Sequence, residues 1–197
     1  MSENIFLQEM QATVVFFDVR RFSRLTASLG PTDLAVALGV FYRHVEEHVL
    51  GQGGRVVKFI SDAVLALFPS VGGADHAGQA LSMLGTLGER AGDWHAGNRE
   101  RGLPELVYSV GAATGAVLHG ELGTDRLRAF DALGRPVTLA VKLAQLATVR
   151  DVPHLVTGGT VEAASADVPC IEVEGFEFAD EPVRLYRVLG SREGAPE

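Results

Sequence analysis

Residues Arg55–Phe68 read RVVKFISDAVLALF. β-branched and aromatic residues on either side of Ser61–Asp62 predict two apolar strands folded into a hairpin. A lysine and an aspartate, Lys58 and Asp62, stand four residues apart where those strands meet, in a segment otherwise composed for a core. Taken alone, Asp62 is served by an ordinary turn role, because Ser-Asp is frequent turn chemistry.

The next strand signal outward is ATVVFFDV, Ala12–Val19, continuous and apolar as a strand covered on both faces must be. It ends on Asp18, which by itself reads equally as the N-cap of a following helix. The two aspartates together carry more: if their strands are neighbours, two carboxylates form an oxygen-ligand pair suited to Mg²⁺ held jointly with substrate phosphates. After Asp18 comes VRRFS, a turn into a helix whose free N–H groups can face an anion.

Farther along, Pro31 opens a helix with Leu34, Leu38, Phe41, Val45 and Val49 at helical spacing, stopped by GQGG. A second helix over residues 73–100 carries Ala77, Leu81, Leu84 and Leu87 on one face, with Trp94 read as core. Separate strands are expected near LVYSVGAAT and AVLHGEL, and RAFDALGRPVTLAVKLAQLAT turns from extended to helical at Gly134. HLVTG, a small-residue helix from Thr160 and terminal strands ending in EPVRLYRVL complete one α/β domain with a mixed sheet. The expected division is an N-terminal extension over 1–10, a domain over 11–189 and a flexible tail over 190–197.

At 197 residues the chain can bury a core without disulfides or metals. A net charge of −8 with no basic run argues against a nucleic-acid surface, which needs clustered Lys and Arg. The single Cys170 cannot close an internal disulfide, no signal pattern opens the chain, and no apolar run reaches a membrane span of about 18 residues. A cytoplasmic protein without a membrane segment is the expectation.

Five blocks now carry a resemblance: VVFFDVRRFSRL, GGRVVKFISDAVLALF, VGAATGAVLHGELG, FDALGRPVTLAVKLAQLA and EPVRLYRV. In this order and spacing, from about Gln11 to Val188, they resemble the catalytic domain of class III nucleotidyl cyclases, the adenylate and guanylate cyclase family. The resemblance implies an α/β sandwich whose mixed sheet is flanked by helices, and a head-to-tail homodimer with active sites at the interface. It implies two Mg²⁺ or Mn²⁺ ions on Asp18 and Asp62, base reading by Lys58 and Asp131, and conversion of ATP to cyclic AMP and pyrophosphate. Lys58 and Asp62 would then serve two different sites, one protomer giving the metals and the other the base contacts. By chemistry alone, the lysine donor and carboxylate acceptor suit adenine's ring nitrogen and amino group or guanine's carbonyl and N–H. With no recognisable sensor domain attached, regulation is expected through a partner protein.

Several positions depart from the implied pattern. Thr138 stands where the family has a ribose-orienting asparagine, and Lys142 where it has a transition-state arginine. Lysine keeps the charge and loses the fork that grips two oxygens at once. Glu177 aligns with a family lysine, while Arg21 and Ser61 replace family glycines. The turn residues Arg21, Phe22 and Ser23 are candidate substrate contacts, the arginine as a replacement for lost phosphate charge, against a solvated loop role. These losses sustain two alternatives: a degenerate domain that binds nucleotide or a partner and regulates without catalysis, and a cyclase for GTP or a pyrimidine triphosphate.

One motif points elsewhere. HVEEH, His44–His48, matches the His-x-x-Glu-His pattern of inverted zinc peptidases. The charged neighbours Arg43, Glu46 and Glu47 favour a solvated helix face instead.

Overall fold

The computed structural model of the protein describes residues 7–100 and 102–190, so the expected tail beyond Gly190 and the first six residues lie outside it. The elements run β1 (Leu7–Val19), α1 (Phe22–Ser28), α2 (Pro31–Gly51), β2 (Arg55–Ile60), β3 (Ala63–Pro69), α3 (His76–Glu100), β4 (Tyr108–Thr124), β5 (Leu127–Leu133), α4 (Arg135–Val149), β6 (His154–Thr157), α5 (Gly158–Ala163), β7 (Cys170–Phe178) and β8 (Glu181–Val188). The strands form one mixed sheet in the order β2-β3-β1-β4-β6-β8-β7, with β5 paired to β4. All pairings are antiparallel except β4 with β6.

Central β1 explains its own composition. Val15, Phe17 and Val19 face one core with Phe41, Val45 and Val49 of α2 and Leu81 and Leu84 of α3. Alternate residues Val14 and Phe16 face a second core with Ala140 and Ala144 of α4. A strand covered on both faces has no polar side to show, hence the unbroken apolar run. The strand also extends back to Leu7, pairing there with Gly120, before the start expected at Ala12.

Two expectations are corrected. The strands read separately near LVYSVGAAT and AVLHGEL are one strand, β4, of 17 residues. Gly115 between them is not a break; with Gly111 it lets α4 lie directly on the sheet. A Cβ at Gly111 would sit 2.0 Å from the Ala140 carbonyl oxygen, and one at Gly115 would sit 2.9 Å from Pro136. The last short helix begins at Gly158 instead of Thr160, because Thr157 caps it by accepting the Thr160 N–H at 3.3 Å.

His154 on β6 ties the far half of the sheet together. It is buried, and its Nε2 accepts the Val188 N–H at 3.0 Å. Burial, aided by the Arg187 charge, pulls its pKa from 6.5 down to about 4. The unfolded chain therefore takes up a proton as pH falls below 6.5 while the folded chain resists until about 4. Stability is full above 6.5 and declines between those values by up to about 1.4 kcal/mol per pH unit. Urea unfolding of wild type and His154→Gln at pH 7.5, 6 and 5 is expected to show the steeper acid loss in wild type. Parallel declines would remove His154 as the cause.

Candidate active site

The hairpin places Asp62 at its turn, directly beside the end of β1. Asp18 lies opposite Ala63 in register, and the Val19 N–H donates to the Asp62 carbonyl at 3.1 Å. Both carboxylates are half-buried. Burial raises the Asp18 pKa, and the charge of Asp62 raises it further. A carboxylate whose ionisation is opposed by burial and by a neighbouring carboxylate is suited to a divalent cation, and this oxygen donor set fits a hard ion sharing its remaining positions with phosphate and water. Among the described residues no group of three or more His, Cys, Asp and Glu is placed for a metal, so the pair would depend on substrate oxygens to complete a coordination shell.

The turn is strained and braced. Ser61 adopts φ 53°, a left-handed conformation costly outside glycine. Its carbonyl accepts a hydrogen bond from the Tyr42 hydroxyl of α2. The Tyr42 ring stacks on Phe59 of β2, with centroids 4.3 Å apart and planes at 22°. Burial and the Asp62 charge push the Tyr42 phenol up, so it keeps the proton it donates.

Lys58 is directed elsewhere. Its Nζ lies 2.6 Å from Asp131 Oδ2, although the two residues are 73 apart in sequence, because β5 returns alongside β2. The other Asp131 oxygen accepts the Ala132 N–H at 2.8 Å. Both side chains remain partly exposed, 34% for Lys58 and 22% for Asp131, so the pair can be reached from solvent. One chain thus gathers its candidate residues into two groups, Asp18 with Asp62 and Lys58 with Asp131.

Thr138 and Lys142 occupy the exposed stripe of α4, one turn apart, while Leu139, Ala140 and Leu143 face inward. Neither is tied to either group within the chain. Glu177 is exposed on β7 opposite Pro182. Beside it, Arg135 at the start of α4 pairs with Glu181 and lies over the Phe178 ring at 5.7 Å.

Of the turn after β1, Phe22 packs against the α2–α3 core, whereas Arg21 and Ser23 are exposed. Arg21 has φ 56° and lines an open cleft of about 630 Å³ with Arg24, Leu25 and Val107. Sequence reasoning missed Arg20 in the same turn. Its guanidinium is nearly covered and binds Ser109 Oγ at 2.6 Å, Asp151 at 2.6 Å and the Val152 carbonyl. Ser109, opposite Asp18 in register, also takes the Thr148 hydroxyl at 3.0 Å, so Arg20 joins the Asp18 strand end to the end of α4. A double arginine was the only visible signal, and nothing local tells the partly covered one from the exposed one.

The histidine motif lies on a packed face of α2 and not on a solvated one. His48 is buried, and the His44 ring stacks on Trp94 with centroids 4.5 Å apart and lies 3.1 Å from the Tyr108 hydroxyl. Both follow Phe41 at helical spacing, on the inward stripe of α2, so geometry outweighs the charged neighbours.

Comparison with known proteins agrees with this architecture. The adenylyl cyclase CyaB from P. aeruginosa superposes with a TM-score of 0.81 at 25% identity, covering 96% of this chain and 99% of that one. The guanylyl cyclase Cya2 superposes at 0.79 with 20% identity, covering 93% and 94%. An uncharacterized Mycobacterium tuberculosis protein is 28% identical over 195 residues, and the terminal-differentiation specific adenylate cyclase of Dictyostelium discoideum is 27% identical over 202. The match takes 93% of this chain and 33% of the mycobacterial protein, and 97% and 9% in the Dictyostelium case, so the chain spans about a third or less of these relatives' lengths. Among the described residues no helix is long and apolar enough to cross a membrane. The family model for the adenylate and guanylate cyclase catalytic domain matches residues 7–181, and the chain belongs to that family.

Proposed function

We propose that two copies of the chain, arranged head to tail, convert ATP to 3′,5′-cyclic AMP and pyrophosphate. The observation that carries this reading is the separation of Lys58 from Asp62: the lysine is bound to Asp131, and Asp62 is electrostatically coupled to Asp18. Each copy then offers half of two sites, its carboxylate pair to one and its lysine–aspartate pair to the other. Mg²⁺ or Mn²⁺, two per site on Asp18 and Asp62, would neutralise triphosphate charge and favour ionisation of the ribose 3′-hydroxyl.

The chain's own residues orient the reaction. Lys58 donates to a base ring nitrogen, and Asp131 accepts from an exocyclic amino group, exchanging their mutual ion pair for the base edge. The pairing by chemistry alone also suits guanine, and the adenine assignment is supported by the adenylate cyclases among the similar proteins. The 3′-oxygen forms a bond to the α-phosphorus as the bridging oxygen leaves with pyrophosphate, and the hydroxyl proton passes to solvent. Lys142 lies on the exposed face of α4 as a cation for the charge that develops, Thr138 one turn earlier as a ribose contact, and Arg21 with the Ser23 turn as phosphate contacts. Holding the reacting oxygen and phosphorus in line contributes alongside the neutralisation of charge.

The second reading, regulation without catalysis, is favoured by Thr138, Lys142 and Glu177 taken together. Incubation with each of the four ribonucleoside triphosphates and Mg²⁺ or Mn²⁺, with products identified by mass, separates the readings. Cyclic AMP from ATP is expected, and Thr138→Asn with Lys142→Arg should raise kcat more than it changes KM. A different cyclic nucleotide would reassign the base. No cyclic product from either folded, dimeric protein would establish the regulatory reading.

A further inference from the structure

We propose that Tyr42 is a positioning residue for the candidate metal pair: its hydroxyl pins the strained Ser61 carbonyl and so fixes the direction in which Asp62 presents its carboxylate. The role rests on the metal reading of Asp18 and Asp62.

Three observations converge on the turn. Ser61 sits at φ 53°, so the residue before Asp62 is held in a conformation it would leave if unsupported. On one side the turn is fixed by β1, through the Val19 N–H to the Asp62 carbonyl. On the other, the support is the Tyr42 hydroxyl on the Ser61 carbonyl, with the ring fixed by its stack on Phe59. Tyr42 lies in mid-α2, whose Phe41 and Val45 are fully packed against the sheet, so the phenol is carried by a rigid element. With both carbonyls of the Ser61–Asp62 pair tied, the backbone from which the Asp62 side chain springs is held beside the end of β1, next to Asp18. Releasing the Ser61 carbonyl lets the peptide rotate out of the left-handed region and swings Asp62 with it. Glycine at position 61 occupies that region without cost, so it should make the phenol dispensable.

This gives a test with an internal rescue. Mn²⁺ binding is measured by electron paramagnetic resonance on the dimeric protein with 3′-deoxy-ATP, which cannot cyclise. Amide exchange at 61–63 is followed in the same samples. Tyr42→Phe keeps the ring on Phe59 and loses only the hydroxyl. It is expected to weaken Mn²⁺ binding about fivefold, the worth of one hydrogen bond, and to speed exchange at the turn. Adding Ser61→Gly should restore both, whereas a contact that merely stabilised the fold would shift the melting temperature and leave Mn²⁺ affinity unmoved. Affinity unchanged in Tyr42→Phe, or lowered and not recovered by Ser61→Gly, overturns the role of Tyr42 alone. Wild-type protein that binds no Mn²⁺ overturns the metal reading, and the role of Tyr42 with it.

Discussion

Replacing Asp18 or Asp62 with Asn should remove divalent-dependent cyclic-nucleotide formation, by about three powers of ten or more, while the protein stays folded. The magnitude follows from the several kcal/mol by which a correctly held divalent ion stabilises a phosphoryl transition state, at about 1.4 kcal/mol per tenfold. The stability side has its own sign. Burial and the Asp62 charge raise the Asp18 pKa, so at neutral pH the ionised group opposes folding. Asp18→Asn removes that opposition, and its melting temperature should equal or exceed that of wild type. Lost activity with undiminished stability is the pattern of a functional site that strains its fold. Unfolding of both variants would make the aspartates structural, and retained activity would remove the metal assignment.

How much of this was legible in the sequence depended on the range of the interaction. The hairpin at 55–68 and the helix from Pro31 rest on local patterning, and both stand where expected. Gly134 as the switch from strand to helix was equally readable, since the Pro136 that follows suits the first turn of a helix. What failed were inferences from local composition about tertiary surroundings. Strands were expected separately on either side of Gly115, yet β4 runs through, and Gly111 and Gly115 are small because α4 presses on them. His44 and His48 stood among charged neighbours, yet helical spacing from Phe41 turned both inward. Within the site, the adjacency of Asp18 and Asp62 was expected if their strands were neighbours, and the register of β1 with β3 makes them so. The ion pair of Lys58 with Asp131, and the ties of Arg20 and Tyr42, join segments far apart in the chain. Resemblance had already grouped Lys58 with Asp131, but local patterning showed none of these ties until the fold brought β5 to β2 and α2 to the hairpin turn.

That ion pair underlies the second large effect, restoration of activity from two inactive proteins. Asp62→Ala disables the carboxylate pair of its own copy and leaves Lys58 with Asp131 intact; Asp131→Ala does the reverse. Each protein alone should be silent, because every dimer it forms has the same defect in both sites. In a mixed dimer, one site takes its carboxylates from the Asp131→Ala copy and its base contacts from the Asp62→Ala copy, and is whole. The other site carries both defects. Random exchange of an equal mixture makes half the dimers mixed, each with one working site of two. The measurement is cyclic AMP formed from ATP by that mixture after subunit exchange has been verified. The expected result is about one quarter of wild-type activity, and a mixture that remains as silent as its components would contradict a site built from two copies of this chain.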